Sequence, residues 1–383
     1  GDPDKRPPRK NPAWQGVEHN DVGVHEFMDI CRLIGTEPYI TVNSGQGNET
    51  LAADMVEYVN GAASTQMGAL RARNGRAEPW RVAWWSIGNE MYGGWQLGHM
   101  PVQDYVLKHN RFAAAMRAKD PAIKLVAIGA VGEWSQRMLA ACRDAMDAMS
   151  EHFYVGDRPG LLSHVNQVPA EVRRIAEAHR RYRLTIGALA GKPPVPVALD
   201  EWNYWYGPDL YGEIGVRYFL KDALGIAAGL HEFVRQSDMF VMANYAQTVN
   251  VIGAIKTTKT AAAFDTTGLV LKLYRAEFGT IPVKVTGAPA PLDVAAAWRE
   301  GRKILTVAVV NPTKDVQDLP ISFKGIRIPA SARLHLITGP DPDAYNEPGK
   351  EPVIRIETKD GAPFGPKLSL PPLSVSLYEL EAK

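Results

Sequence analysis

Residues 84–91 read Trp84-Trp85-Ser86-Ile87-Gly88-Asn89-Glu90-Met91, an apolar run of strand character that ends abruptly in an amide and a carboxylate. The interior of a buried strand has little use for a glutamate, because an unpaired buried carboxylate is costly. The C-terminal end of a parallel strand, however, is where many enzymes place their catalytic residues. A second stretch, Val195-Pro196-Val197-Ala198-Leu199-Asp200-Glu201-Trp202, has the same form. Both stretches therefore predict a strand that delivers a carboxylate to its end.

Around these stretches, short apolar runs alternate with segments of helical periodicity. Strands are predicted at Glu37–Asn43, Arg81–Ile87, Ile123–Val131, Met149–Val155, Val195–Glu201 and Phe240–Gln247. Helices are predicted at Gly23–Gly35, Glu49–Gly61, Val102–Lys119, Ser135–Met146, Pro169–Leu189 and Leu220–Arg235. Repeated strand–helix units indicate an α/β protein with a parallel sheet, and at this length a (β/α)8 TIM barrel of which six strands are found. A doubly wound sheet is the alternative, but no Gly-rich phosphate loop follows a strand.

From about Ile281 the pattern changes to short strand-like runs separated by Gly and Pro turns. These runs are Leu292–Trp298, Ile304–Asn311, Ile321–Ile326, Ala332–Thr338, Val353–Glu357 and Ser374–Glu379. Strands without intervening helices indicate an all-β, jelly-roll-like sandwich. The sequence therefore predicts a catalytic barrel over residues 1–280 and a β-sandwich over residues 281–383.

Composition excludes several classes of function. The chain has 383 residues, of which 45% are hydrophobic and 22% charged, and its net charge of +1 gives no basis for binding nucleic acid or a charged membrane surface. No apolar run approaches the roughly 18–20 residues of a membrane span. Nine scattered histidines and two isolated cysteines predict no catalytic metal, no disulfide framework and no cofactor.

Polar side chains follow the predicted strands at one end. Asn43, Glu90, Tyr154, Glu201 and Gln247 lie at or just past strand C-termini, which form one rim on a barrel. A pair of carboxylates across a cleft suits glycoside hydrolysis, in which one protonates the leaving oxygen and the other attacks the anomeric carbon. A separation of about 5–5.5 Å predicts retention of configuration.

These segments resemble family 51 of the glycoside hydrolases, the retaining α-L-arabinofuranosidases. The resemblance covers essentially the whole chain and is carried by Trp85–His99, Asp200–Tyr206, Asn244–Asn250 and the segment from Glu18 to Asn43. It implies an exo-acting hydrolase that releases terminal arabinose from arabinoxylan, arabinan or derived oligosaccharides by double displacement.

The resemblance also implies roles for individual residues. Glu90 would be the general acid/base and Glu201 the nucleophile. Asn89 would bind the sugar 2-hydroxyl, and Tyr154 would hold the nucleophile carboxylate. The remaining assignments are Trp205 as a lining of the sugar subsite and Gln247 as a sugar contact, with His152 as a neighbour of the site.

The sequence departs from the family pattern in two places. Tyr92-Gly93-Gly94 stands where relatives usually show Asp-Gly-Pro, which predicts an altered subsite beyond the scissile bond. Relatives also carry about a hundred further residues before the position of Gly1, including two barrel strands. We therefore expect a companion N-terminal segment. The resemblance further favours a homo-oligomer in the cytoplasm, with secretion as the alternative.

Two other functions stay open on the sequence alone. The same scaffold could cleave a β-xyloside or a β-glucan, since the pocket around Trp205 and Tyr92 selects the sugar. A catalytically silent carbohydrate-binding protein is the other alternative, although both carboxylates, Asn89 and Tyr154 are intact.

Overall fold

Parallel strands and helices alternate along the first two thirds of the chain. The computed structural model describes residues 2–11, 16–210, 215–327 and 329–382. Packing divides the chain into two units, residues 1–151 with 178–198, and residues 152–177 with 199–383.

The elements of this part are as follows. The strands are Arg9–Lys10 (β1), Val17–Glu18 (β2), Tyr39–Val42 (β3), Trp84–Ile87 (β4), Lys124–Ile128 (β5), Ala148–Val155 (β6), Val197–Tyr204 (β7) and Phe240–Tyr245 (β8). The helices are Val24–Ile34 (α1), Glu49–Asn60 (α2), Gln66–Arg73 (α3), Val102–Lys119 (α4), Glu133–Ala141 (α5), Leu161–Val165 (α6), Gln167–Thr185 (α7), Leu220–Arg235 (α8) and Thr266–Glu277 (α9).

The six predicted strands form one sheet in chain order, from β3 to β8. The pairs β3–β4, β4–β5 and β5–β6 are parallel, with Tyr39 opposite Trp84 and Trp84 opposite Lys124. Parallel strands are covered by helices on the faces, and the core beneath β3 and β4 is built from Val56, Trp85 and Phe112, all 0% exposed. The predicted α/β alternation is confirmed.

The sequence analysis does not predict three of the described helices, α3, α6 and α9. Helix α3 shows the reason. Its two buried residues are Gly68 and Arg71, so no apolar stripe marks the helix. The helix is stabilised instead by Arg71, a fully buried side chain that donates to the carbonyl oxygens of Tyr58 and Gly61 at 2.7 Å each. Thr65 caps its N-terminus by accepting from the Gly68 amide. Tertiary contacts therefore define this helix.

Two short strands, Ile255–Thr257 (β9) and Ala262–Phe264 (β10), pair with each other before α9. After α9 the chain is built from strands. They are Ile281–Val283 (β11), Asp293–Trp298 (β12), Ile304–Asn311 (β13), Gln317–Pro320 (β14), Ser331–Ile337 (β15), Ile356–Pro363 (β16), Lys367–Leu370 (β17) and Ser374–Glu381 (β18). The order β11-β12-β13-β18-β15-β16 forms an antiparallel six-stranded sheet, and β14 pairs with β17. The predicted all-β C-terminal region is confirmed, whereas the boundary at residues 280 and 281 stays a prediction.

The predicted strand Ile321–Ile326 is wrong, and the predicted strand Val353–Glu357 overlaps β16 only at Ile356 and Glu357. Ile321, Phe323 and Ile326 pack against the core of the sandwich, which explains their alternating apolar pattern. The backbone is nevertheless irregular there, and Gly325 has a φ of +83°, a conformation that favours glycine and turns the chain. Apolar side chains can be buried from an irregular segment, so periodicity alone misidentified it.

Candidate active site

The end of β4 places Glu90 in an unusual backbone conformation. Gly88 has a φ of +88°, and a Cβ at this position would collide with the Ser44 hydroxyl, so only glycine fits. Glu90 itself has a φ of +44°, which costs a residue with a Cβ about 1–3 kcal/mol. Such strain is typical of functional sites, where the surrounding structure maintains it. Asn89 lies between these two residues, half-buried at the strand end.

Two aromatic residues of the following loop donate hydrogen bonds to the Glu90 carboxylate. Trp95 Nε1 donates to Oε2 at 2.5 Å, and the Tyr92 hydroxyl lies 3.4 Å from Oε1. The two rings meet edge to face with centroids 6.1 Å apart. Trp95 is 66% exposed, so this support for Glu90 comes from a side chain in contact with solvent. The sequence prediction had not assigned a role to Trp95.

Glu201 lies within β7, and residues of β6 hold its carboxylate. The Tyr154 hydroxyl donates to Oε2 of Glu201 at 2.7 Å, the contact that the family resemblance implies. Nδ1 of His152 lies 3.6 Å from the same oxygen. A carboxylate that accepts a short O–H···O bond is fixed in position, because charge-assisted hydrogen bonds are the strong ones.

His152 connects Glu201 to a second carboxylate. Its Nε2 lies 3.1 Å from Oδ1 of Asp200, so the two ring nitrogens face Asp200 and Glu201. The 3.1 Å contact with Asp200 orients the ring that faces Glu201. The sequence pattern does not single out Asp200, because the catalytic role is assigned to its neighbour Glu201.

Trp205 lies beside Tyr154, the hydrogen-bond donor to Glu201. Its backbone N–H donates to the Val155 carbonyl oxygen at 2.9 Å, and its ring packs edge to face on Tyr154 with centroids 5.1 Å apart. The side chain is 38% exposed and so leaves an aromatic face accessible. The structure thus groups three sequence-predicted residues, Tyr154, Glu201 and Trp205.

Gln247 follows β8 on an exposed loop. Its carbonyl oxygen accepts from the Ala254 amide at 3.0 Å, and Lys256 donates to the Val251 carbonyl oxygen at 2.9 Å. Lys256 is 1% exposed, and burial lowers its pKa although Asp265 opposes the shift. A buried lysine therefore holds the backbone of this loop through a hydrogen bond.

A group of potential metal ligands lies elsewhere among the described residues. Ligand atoms of Glu277, His335 and Glu379 lie within 4.8 Å of one another. Arg299 pairs with both carboxylates, at 2.5 Å to Glu277 and 3.3 Å to Glu379. A guanidinium between two carboxylates indicates an ion-pair cluster.

None of the helices in the described residues combines the length and the apolar character that a membrane span needs.

Comparisons with known proteins agree with this geometry. Two family models match the chain, the alpha-L-arabinofuranosidase 1 domain over residues 1–174 and the alpha-L-arabinofuranosidase C-terminal domain over residues 200–374. A protein of Aspergillus fumigatus named probable alpha-L-arabinofuranosidase C is 34% identical over 94% of this chain and 78% of its own length. An intracellular exo-alpha-(1->5)-L-arabinofuranosidase of Streptomyces lividans is 28% identical over 94% of this chain and 61% of its own length.

Solved structures give the same result. The crystal structure of an alpha-L-arabinofuranosidase from Thermotoga maritima, an arabinose complex, matches with a TM-score of 0.91 and 32% identity, covering all of this chain and 83% of that chain. The match confirms the predicted fold class, a β/α barrel fold followed by a C-terminal β domain.

Proposed function

The chain belongs to family 51 of the glycoside hydrolases, the α-L-arabinofuranosidases, and we propose that it hydrolyses terminal α-L-arabinofuranosyl residues with retention of configuration. The observation that carries this proposal is that each family model includes one of the two strand-end glutamates. Glu90 lies in the first match and Glu201 in the second.

In the proposed mechanism, Glu201 attacks the anomeric carbon while Glu90 protonates the departing glycosidic oxygen. A covalent arabinosyl-enzyme results. Glu90 then takes a proton from water, and the water displaces Glu201 and frees arabinose. The two inversions at the anomeric carbon give net retention.

Three further residues support these steps in the proposal. Tyr154 and His152 fix the Glu201 carboxylate, as their contacts of 2.7 and 3.6 Å favour. Asn89 donates to the sugar 2-hydroxyl, a contact that strengthens in the transition state. The aromatic face of Trp205 and the side chain of Gln247 contact the same arabinose.

The substrates in this proposal are arabinoxylan, arabinan and the oligosaccharides derived from them, cleaved from the non-reducing end. The names of the relatives support this substrate class, and the Streptomyces lividans relative is named an exo-enzyme. That relative is also named intracellular, which supports a cytoplasmic location. A homo-oligomer stays a prediction, which gel filtration would test.

A panel of nitrophenyl glycosides tests the function. We expect hydrolysis of the α-L-arabinofuranoside well above that of the β-xyloside and β-glucoside, and NMR should show α-arabinofuranose as the first product. Preference for the β-xyloside would assign the scaffold another sugar. Binding of arabinose without hydrolysis of any glycoside would make the protein a catalytically silent binder.

A further inference from the structure

One buried amide ties the loop after β8 to the strand that carries Glu201. Asn203 lies two residues after Glu201 on β7 and is 0% exposed. Its Nδ2 lies 2.6 Å from the Ala246 carbonyl oxygen and 2.7 Å from the Ile252 carbonyl oxygen. Residues 246–252, called the Gln247 loop below, therefore begin and end on the same side chain.

The hydrogen-bonding capacity of Asn203 is fully used. Nδ2 has two hydrogens and three oxygens within reach, the third being the Tyr218 hydroxyl at 2.8 Å. That hydroxyl in turn donates to the Tyr204 carbonyl oxygen at 2.7 Å. Oδ1 of Asn203 accepts from the Tyr204 amide, also at 2.7 Å. The amide orientation is therefore set, with nitrogen toward the loop.

The Gln247 loop depends on such external support because its backbone is strained. Asn250 and Val251 have φ values of +52° and +48°, and this region is especially unfavourable for a β-branched residue such as valine. The loop is also closely packed: a Cβ on Gly253 would lie 2.6 Å from the Asn250 carbonyl oxygen. A strained conformation persists only where surrounding contacts hold it.

Two more contacts hold the middle of the loop. Lys256 donates to the Val251 carbonyl oxygen, and Asn250 Oδ1 accepts from the Thr257 amide at 2.9 Å. Asn203 differs from these contacts because it acts at the two ends and belongs to the Glu201 strand. One of the two carbonyls that it holds belongs to Ala246, the residue directly before the exposed Gln247.

We propose that Asn203 is a positioning residue for the glycosidase reaction, which holds the Gln247 loop so that Gln247 has a fixed place against the sugar bound at Glu201. This inference rests on the proposed function, since it takes arabinose as the ligand. Asn203 touches no substrate itself. It links the position of the nucleophile strand to the position of a sugar contact 44 residues further along the chain.

The test is Asn203→Asp, which keeps the shape and removes the Nδ2 donors. At neutral pH the new carboxylate would face two carbonyl oxygens, so we expect the Gln247 loop to move and kcat/KM on the nitrophenyl arabinofuranoside to fall about 100-fold. The loss should lie in KM rather than kcat, because Gln247 would bind the sugar equally in the ground and transition states. Lowering the pH from 7 to 5 should partly restore KM, because a protonated carboxyl regains one donor.

Asn311→Asp is the matched control. Asn311 is also 0% exposed, and its Nδ2 donates to the carbonyl oxygens of Pro371 and Asp315 at 2.7 and 2.9 Å. It lies on β13 of the sandwich. We expect a similar fall in melting temperature for the two variants, with KM unchanged for Asn311→Asp. Equal KM changes in both variants would show that Asn203 contributes to stability alone.

A double-mutant cycle separates positioning from general damage. If Asn203 acts through Gln247, adding Gln247→Ala to Asn203→Asp should raise KM no further. If the KM increases of the two substitutions multiply in the double variant, the proposal is wrong. An inactive wild type would instead refute the proposed function. In that case the positioning role is tested by itself, by measuring the Kd of free arabinose by calorimetry for the wild type and for Asn203→Asp. Equal Kd values would overturn the positioning role.

Discussion

The segment around Glu90 and the segment around Glu201 hold their carboxylates in different ways. Glu90 lies past the end of β4 at a φ of +44°, and its partners Tyr92 and Trp95 follow two and five residues later on a partly exposed loop. Glu201 lies within a regular strand, and its partner Tyr154 comes from a neighbouring strand 47 residues earlier.

This difference matches the different tasks that we propose for the two groups. An acid/base changes its protonation state twice in each turnover, so exposed partners that can exchange for water suit it. A nucleophile must stay ionised and aligned on one carbon, so partners fixed in a strand suit it. Substitutions around Glu90 and around Glu201 should therefore differ in the size of the activity loss and in the catalytic step that is affected.

The largest loss is expected for Glu201→Ala. Removing the nucleophile prevents the covalent intermediate, and kcat should fall by roughly 10⁴-fold or more. Azide should restore turnover by attacking from the vacated side, and NMR of the product should show the inverted arabinosyl azide. Wild-type turnover in this variant, or a rescued product of retained configuration, would contradict the assignment of Glu201.

Glu90→Ala should cost less, about 10²- to 10⁴-fold, the usual contribution of general acid/base catalysis. The loss should depend on the leaving group, because an activated nitrophenolate departs without a proton whereas a sugar alcohol needs one. Azide should give a product of retained configuration, since Glu201 still forms the intermediate. An equal loss on both leaving groups would argue against an acid role for Glu90.

Tyr154→Phe removes the 2.7 Å hydrogen bond to Glu201 and leaves the ring in place. A hydrogen bond to a charged group is worth about 1.5–3 kcal/mol, so we expect a 10- to 100-fold loss in kcat/KM. The pre-steady-state burst of nitrophenol should slow in proportion. Tyr92→Phe is the comparison, and its 3.4 Å contact with Glu90 predicts a smaller change.

The smallest effect is expected for Trp95→Phe. This variant loses the hydrogen bond to Glu90, but Trp95 is 66% exposed, so water can replace the indole N–H. We expect a loss in kcat/KM of about fivefold or less. A loss as large as that of Tyr154→Phe would show that the two carboxylates are held equally firmly by their partners.

Much of the fold and part of the site follow from local sequence pattern. The ends of α4, α8 and β13 agree with the predicted ranges, because apolar periodicity and caps are local properties. The family resemblance predicts Tyr154 beside Glu201, and the structure places its hydroxyl 2.7 Å from that carboxylate. The catalytic roles themselves stay proposals.

Other features could not be predicted, and Asn203 shows the reason. Its partners are the backbone carbonyls of Ala246 and Ile252, and any residue type presents a carbonyl there. No side-chain pattern marks such a contact. Asp200 could not be singled out from the sequence, because it stands next to Glu201. Its role in orienting His152 follows from the contact between the two side chains.

The sequence by itself determined the strand–helix order, the all-β C-terminal part and the two glutamates near the C-terminal ends of β4 and β7. These follow from residue spacing, which the chain carries wherever it folds. The tertiary structure decided which groups hold each carboxylate: loop aromatics for Glu90, and strand residues for Glu201. Hydrogen bonds depend on distances between segments far apart in the chain, and those distances exist only after the strands pack side by side.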